Sequence, residues 1–182
     1  MKLHKDIESI LITKEQIENS SQKVANYLNK KYKNKHPIVL GILKGCIPFY
    51  NEVFSRLTCD PIMDFMIVSS YSGVHSSNIK IVADLRQNIQ GRHIIIVEDI
   101  IDTGKTLHKL IEILSTRKPA SIEIVCLVDK PHARAIEVKI GYACFEIPHK
   151  FVVGFGLDYN EGYRYLPYVG VLKKSIYAKM DK

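Results

Sequence analysis

Residues 93–106 read HIIIVEDIIDTGKT, and this stretch decides the fold. The apolar run at 93–97 has the branched residues of a buried strand, and it delivers three carboxylates, Glu98, Asp99 and Asp102, to a turn that contains Gly104. Like charges brought so close repel one another, so a cation or a ligand rich in hydroxyl donors is expected among them. Beyond the turn, Leu107, Leu110, Ile111 and Leu114 recur at helical spacing, which predicts a helix from about Gly104 to Arg117. The unit is strand, turn, helix.

The same unit appears on both sides. Upstream, IVLGIL at 38–43 reads as a strand, and Tyr50, Val53, Phe54 and Leu57 then repeat as a helix would place them. Before it, Ile17, Ser21, Val24, Ala25 and Leu28 share one face of a helix over 14–28, with Thr13 and Gln16 matching a capping box. Further strands are predicted at 64–70 (DFMIVSS), 79–82 (IKIV) and 121–128 (SIEIVCLV), and the Ser-, Gly- and Asn-rich 71–78 reads as a mobile loop. Strands apolar along their whole length, alternating with helices, indicate a parallel sheet covered on both faces. Ligands of such sheets bind beyond the carboxyl ends of the strands, where VEDIIDTGKT begins.

Composition sets outer limits. The 182 residues suit one α/β domain, and 46% hydrophobic with 25% charged residues is an ordinary globular balance. A formal charge of +7 would suit a polyanionic ligand, but much of the excess falls at 30–35 and 173–182, where it reads as solvated helix faces and tails. Cys46, Cys59, Cys126 and Cys144 form no C-x-x-C pair and no zinc spacing, so reduced thiols are expected. The amino terminus breaks its apolar run too early for a signal peptide, and no stretch of about 18 apolar residues exists to span a membrane. A cytoplasmic protein is the expectation.

Thr103-Gly104-Lys105-Thr106 opens a helix, so free amides and hydroxyls there can hold a phosphate, and Gly104 lets the backbone approach it closely. A nucleotide-triphosphate loop, G-x-x-x-x-G-K-[ST], would need glycine where Asp99 stands, and an acid there would repel the phosphates. A ribose 5-phosphate fits better. Its phosphate would sit on the turn, its vicinal hydroxyls would meet Glu98 and Asp99 directly or through Mg2+, and Asp102 would face the anomeric carbon. Helix-dipole stabilisation alone would favour only one or two exposed acids at this place.

These residues resemble the phosphoribosyl-diphosphate motif of type I phosphoribosyltransferases, and other segments narrow the likeness to the hypoxanthine-guanine phosphoribosyltransferases. They are ILKG at 42–45, SSY at 69–71, LVDKP at 127–131 and FEIPHKFVVGFGLDYNEGYR at 145–164. The resemblance implies a twisted parallel sheet flanked by helices with a small hood built from the chain ends. It implies one domain over 1–182, a mobile active-site loop at about 70–80 and a purine-binding hood segment at about 145–172.

The implied reaction moves the 5-phosphoribosyl group from 5-phosphoribosyl 1-diphosphate to hypoxanthine or guanine, giving IMP or GMP and pyrophosphate with Mg2+ as cofactor. By resemblance Glu98 and Asp99 hold the ribose hydroxyls beside the metal, and residues 102–106 surround the 5-phosphate. Asp102 exchanges a proton with purine N7. Lys44 and Gly45 lie in the diphosphate loop, whose Leu43–Lys44 peptide is often cis in the family, and Arg164 also meets the diphosphate. Lys130 donates to the purine O6, Phe151 stacks on the base and the Val152 backbone meets its far edge. Asp158 lies at the purine end as a ligand of a second Mg2+, and Ser70 with Tyr71 belongs to the mobile loop. The family usually forms homodimers or homotetramers. Two other readings stay open: a nucleic-acid-binding regulator that retains the phosphoribosyl-diphosphate pocket, and a P-loop nucleotide kinase. Asp102, Lys130 and Phe151 argue against the first, Asp99 against the second.

Overall fold

The structure is a computed structural model, and it describes residues 3–70 and 79–178. Helix α1 (Lys14–Lys31) begins where the capping box predicts, with Thr13 Oγ1 accepting from the Gln16 amide and Gln16 Oε1 accepting from the Thr13 amide. Its buried face is Ile17, Ser21, Val24, Ala25 and Leu28. Strand β1 (Ile7–Ile12) precedes it, and β2 (Ile38–Leu43), α2 (Ile47–Phe54), β3 (Ile62–Ser70), β4 (Ile79–Ala83) and β5 (His93–Ile101) follow. Then come α3 (Lys105–Ser115), β6 (Ser121–Asp129), β7 (Tyr142–Glu146), β8 (Val152–Val153), β9 (Val169–Leu172) and α4 (Lys174–Tyr177).

Six strands form the main sheet in the order β4-β3-β2-β5-β6-β7. Pairing is parallel from β3 to β7, whereas β4 runs antiparallel to β3. The parallel sheet expected from the sequence is present, with one antiparallel strand, β4, added at its edge. An apolar segment such as IKIV carries no mark of direction, and the eight residues that separate it from β3 in the sequence are fewer than a parallel crossover connection needs. Helix α2 also ends at Phe54, short of Leu57, which keeps the helical spacing but packs against the core from the following turn.

Alternation along β5 and β6 divides the core. Ile95, Val97, Val125 and Leu127 face α1 and α2, while Ile94, Ile96, Ile124 and Cys126 face Leu107, Leu110 and Leu114 of α3. Each fully buried aliphatic side chain contributes about 1.5–3 kcal/mol, so the two faces fix the register of β5 and hence where its acids emerge.

A second sheet, β1-β9-β8, is antiparallel and joins the two ends of the chain, with Ile7 opposite Leu172 and Ile12 opposite Val169. It has its own core of Ile7, Val153, Leu166, Tyr168 and Leu172. This is the expected hood. All four cysteines are free thiols, three of them buried. No helix among the described residues is long and apolar enough to cross a membrane.

Candidate functional site

Strand β5 does not stop where its apolar run does. It continues through Glu98 and Asp99 to Ile101, so the acids are held by the sheet itself, with Glu98 opposite Cys126 and Ile101 opposite Asp129 of β6. Pleating sends them to opposite sides. Glu98 lines a pocket of about 150 Å³ with Asp102, Thr103, Gly104 and Thr106. Asp99 faces a larger cleft, about 570 Å³, which also contains Asp102, Lys130, Phe151, Val152 and Asp158.

At the smaller pocket, Gly104 caps α3 in the left-handed conformation (φ +77°) and has no side chain to offer the helix amides, while the Lys105 amide makes only a long bond, 3.5 Å, to Thr103 Oγ1. The amides of the first turn are thus left for a ligand, as an anion site requires. A Cβ on Gly104 would lie 2.4 Å from the Ile136 carbonyl oxygen, so the turn is closely backed by the segment after β6. That segment donates the amides of Ala135 and Ile136 to the Thr103 carbonyl. Beneath it Arg134 pairs with Asp129, both side chains almost buried. Lys105 is exposed and Thr106 partly buried at the same turn.

Parallel pairing of β2 with β5, Gly41 opposite Val97, carries the chain after β2 directly to Asp99. The Leu43–Lys44 peptide is cis. A Cβ on Gly45 would fall 1.7 Å from Asp99 Oδ2, and a Cβ on Gly156 would fall 1.9 Å from the Gly45 carbonyl oxygen. Three segments distant in sequence therefore meet at one glycine.

Among the described residues neither Glu98 nor Asp99 takes part in an ion pair, and Asp99 Oδ1 accepts only from the next amide, Ile100, at 2.8 Å. Burial pushes the Glu98 carboxyl well above the ordinary carboxylate range, and the neighbouring Asp99 adds to the shift. Burial likewise raises Asp99 to about 6, with Arg164 pulling it down and Asp158 pushing it up. Desolvated carboxylates without a counter-charge suit a cation brought in with a ligand. No group of three or more His, Cys, Asp or Glu side chains able to hold a metal occurs among the described residues.

The raised value has a consequence for the ligand-free protein. A carboxyl whose folded pKa of about 6 exceeds its unfolded value of 3.8 destabilises the fold progressively as pH rises between the two. Asp99→Asn removes that burden. Its melting temperature should equal that of the parent near pH 4 and exceed it by several degrees at pH 7, read by differential scanning calorimetry; a variant less stable at pH 7 than at pH 4 relative to the parent would contradict the sign.

In the larger cleft, Lys130 is buried, its side chain 9% exposed, and its Nζ lies 3.7 Å from Asp102 Oδ2. A solvent-facing lysine is the ordinary expectation; here the Lys130 amide donates to the Ile101 carbonyl and draws the residue against the acidic turn. Phe151 is 38% exposed, stacked on Tyr177 with ring centroids 4.9 Å apart, and Val152 behind it is buried. Asp158 and Arg164 pair at 2.9 Å, and Arg164 Nη1 donates to the Gly156 carbonyl at 2.7 Å. The structure thus brings together Lys44, Gly45, Glu98, Asp99, residues 102–106, Lys130, Phe151, Val152, Asp158 and Arg164 around the carboxyl ends of β2, β5 and β6. Ser70 ends β3, while Tyr71 and 72–78, the rest of the expected mobile loop, lie outside the described residues.

Sequence reasoning missed Gly156, Glu161 and the Asp129–Arg134 pair. Gly156 had a signal in the glycine-bracketed Val-Gly-Phe-Gly run; Arg134 had none, because its partner and its burial are set by the fold.

The phosphoribosyl transferase domain family matches residues 7–160. The hypoxanthine-guanine phosphoribosyltransferase of Streptococcus pneumoniae is 47% identical over 178 residues, 97% of this chain and 99% of that protein. A crystal structure of a hypoxanthine phosphoribosyltransferase from Staphylococcus aureus superposes with TM-score 0.93 at 41% identity, covering 96% of both chains. A hypoxanthine phosphoribosyltransferase from Trypanosoma cruzi in complex with the product IMP superposes with TM-score 0.90 at 36% identity, covering 97% of this chain and 100% of that one.

Proposed function

The chain belongs to the phosphoribosyl transferase family, as a purine-salvage enzyme of the hypoxanthine-guanine type, and from that premise we propose which of its groups carry the transfer. The enzyme moves a 5-phosphoribosyl group from 5-phosphoribosyl 1-diphosphate to hypoxanthine or guanine, yielding IMP or GMP and pyrophosphate.

The observation that carries the assignment is the Lys130–Asp102 pair lining one cleft together with Phe151. The edge of a 6-oxopurine presents an O6 acceptor next to N7. Lys130 donates to O6, and an adenine amino group at that place would set donor against donor. Asp102 exchanges a proton with N7, which makes N9 the better nucleophile as it attacks C1 of the sugar. Phe151 holds the base by stacking, and the Val152 backbone meets its far edge.

The amides of the 103–107 turn hold the 5-phosphate, and Glu98 and Asp99 accept from the ribose hydroxyls. Lys44, the Gly45 amide and Arg164 hold the diphosphate, the guanidinium in the forked geometry suited to phosphate. Glu98, Asp99 and Asp158 are the carboxylates that would hold Mg2+, the cofactor in this proposal, which when bound would supply charge neutralisation on the diphosphate leaving group. The four free thiols agree with a reducing, cytoplasmic setting, and by resemblance the enzyme works as a homodimer or homotetramer.

Initial rates with hypoxanthine, guanine, xanthine and adenine test the assignment. Hypoxanthine and guanine should be consumed only when 5-phosphoribosyl 1-diphosphate and Mg2+ are both present; adenine turned over as fast as hypoxanthine would remove Lys130 from its role.

A further inference from the structure

Glu161 is given no task by the reaction above, yet it stands between the two cations assigned to the diphosphate. Lys44 Nζ lies 3.0 Å from Glu161 Oε2, and Arg164 Nη2 lies 3.4 Å from the same oxygen. One carboxylate oxygen is thus shared by an ammonium from the loop after β2 and a guanidinium from the hood, 120 positions apart in sequence.

The backbone is built to hold it there. Asn160 and Glu161 both lie in the left-handed region, at φ 50° and 64°, inside a turn closed by reciprocal bonds between Tyr159 and Gly162. Asparagine accepts that conformation readily, whereas glutamate is an unusual occupant where glycine is the common choice. The Glu161 amide is secured on Asp158 Oδ2 at 3.0 Å. The contacts of the carboxylate, by contrast, are weak and wet. Its side chain is 65% exposed and that of Lys44 63%. Exposed pairs of this kind are readily exchanged for a stronger anion. Arg164 keeps a buried Nε without a hydrogen-bond partner, so its fork has a donor to spare.

We propose that Glu161 is an internal placeholder for the diphosphate: its carboxylate holds Lys44 and Arg164 in the ligand-free enzyme, yields them to the incoming diphosphate and reclaims them as pyrophosphate leaves. The proposal rests on Lys44 and Arg164 being diphosphate contacts. Two cations kept near their working positions need little reorganisation when the substrate arrives, and a tethered competitor at high effective concentration keeps pyrophosphate from lingering.

Isothermal titration of the full-length enzyme with magnesium pyrophosphate tests this. Glu161→Gln, which removes the competing charge, should bind pyrophosphate about three- to tenfold more tightly, the range expected for releasing the two ion pairs of one exposed carboxylate, with Arg164 still held by Asp158 at 2.9 Å. The KM for pyrophosphate in the reverse reaction with IMP should fall by the same factor. Glu161→Asp keeps the charge but is one methylene too short to bridge both cations, and it should also bind more tightly. Unchanged or weaker binding by the Gln variant overturns the proposal. So does tightening by Gln without tightening by Asp, which would mean repulsion through space and not occupancy. Lys44→Ala separates the premise from the inference: if it leaves pyrophosphate affinity intact, the diphosphate contact itself is wrong, whereas if it weakens binding while Glu161→Gln changes nothing, only the placeholder fails.

Discussion

Gly45→Ala is expected to lower kcat/KM for 5-phosphoribosyl 1-diphosphate by at least about 100-fold and the melting temperature by about 4–8 °C. The added methyl would land 1.7 Å from Asp99 Oδ2 and 2.6 Å from Asp99 Cγ, inside any permissible contact. Two escapes exist in principle. The carboxylate could turn away, but Asp99 sits on a strand paired on both sides and its Oδ1 is engaged by the Ile100 amide. The loop could retreat, but the Gly45 carbonyl is pressed from behind by Gly156, where even one carbon would lie 1.9 Å away.

Either escape moves a group that the proposed reaction needs, and displacement of about 1 Å in a positioned site costs on the order of 100-fold in rate. Overpacking of this kind costs about 2 kcal/mol, and a domain of this size loses about 2–4 °C per kcal/mol. Steady-state kinetics and a thermal melt read the two effects separately. An alanine variant with parental KM and stability would mean that the loop after β2 and Asp99 are not in the contact described.

The reason this contact could not be read from the chain is instructive. ILKGC looks like an ordinary strand-to-helix turn, and only the parallel pairing of β2 with β5 sets Gly45 against Asp99. By contrast the order strand, turn, helix of the β5–α3 unit was legible, though not the run of β5 on to Ile101, because its information is local: periodicity changes from strand to helix at Gly104, and the acids and hydroxyls follow one another in sequence. The capping box at Thr13 was legible for the same reason. The hood was not. Strand β8 is two residues long, and β1 finds its partner β9 about 160 positions away, so neither has a pattern that local reasoning could separate from a loop.

Lys130 shows the same limit at the level of one side chain. Composition makes a lysine a surface residue, and only the Lys130 amide bond to Ile101 and the neighbouring Asp102 reveal that this one is buried at an acidic turn. The direction of β4 and the pose of Glu161 likewise depend on pairings and turn conformations that the residue types permit but do not compel.

Asp102→Asn is expected to reduce kcat by about 10²–10³-fold while changing the affinity for a ribose 5-phosphate ligand by less than about threefold. The amide keeps the size and the hydrogen-bonding atoms of the carboxylate but cannot take up and return the N7 proton. The phosphate turn should be indifferent to the change, because its donors are backbone amides of 103–107 whose geometry is set by Gly104 and by the Thr103 carbonyl bonds to Ala135 and Ile136, not by the Asp102 side chain. A second effect must be separated from the first. Lys130, almost buried, loses its nearby counter-charge at 3.7 Å, which should weaken binding of the purine and lower stability modestly. The two effects fall on different constants: a lost proton acceptor appears in kcat, a disturbed Lys130 in the KM for hypoxanthine. Lys130→Gln, which removes the cation and leaves Asp102 in place, should therefore raise the KM for hypoxanthine with a smaller change in kcat. If Asp102→Asn instead raises that KM and leaves kcat intact, the carboxylate serves to hold Lys130, and proton exchange at N7 belongs to another group.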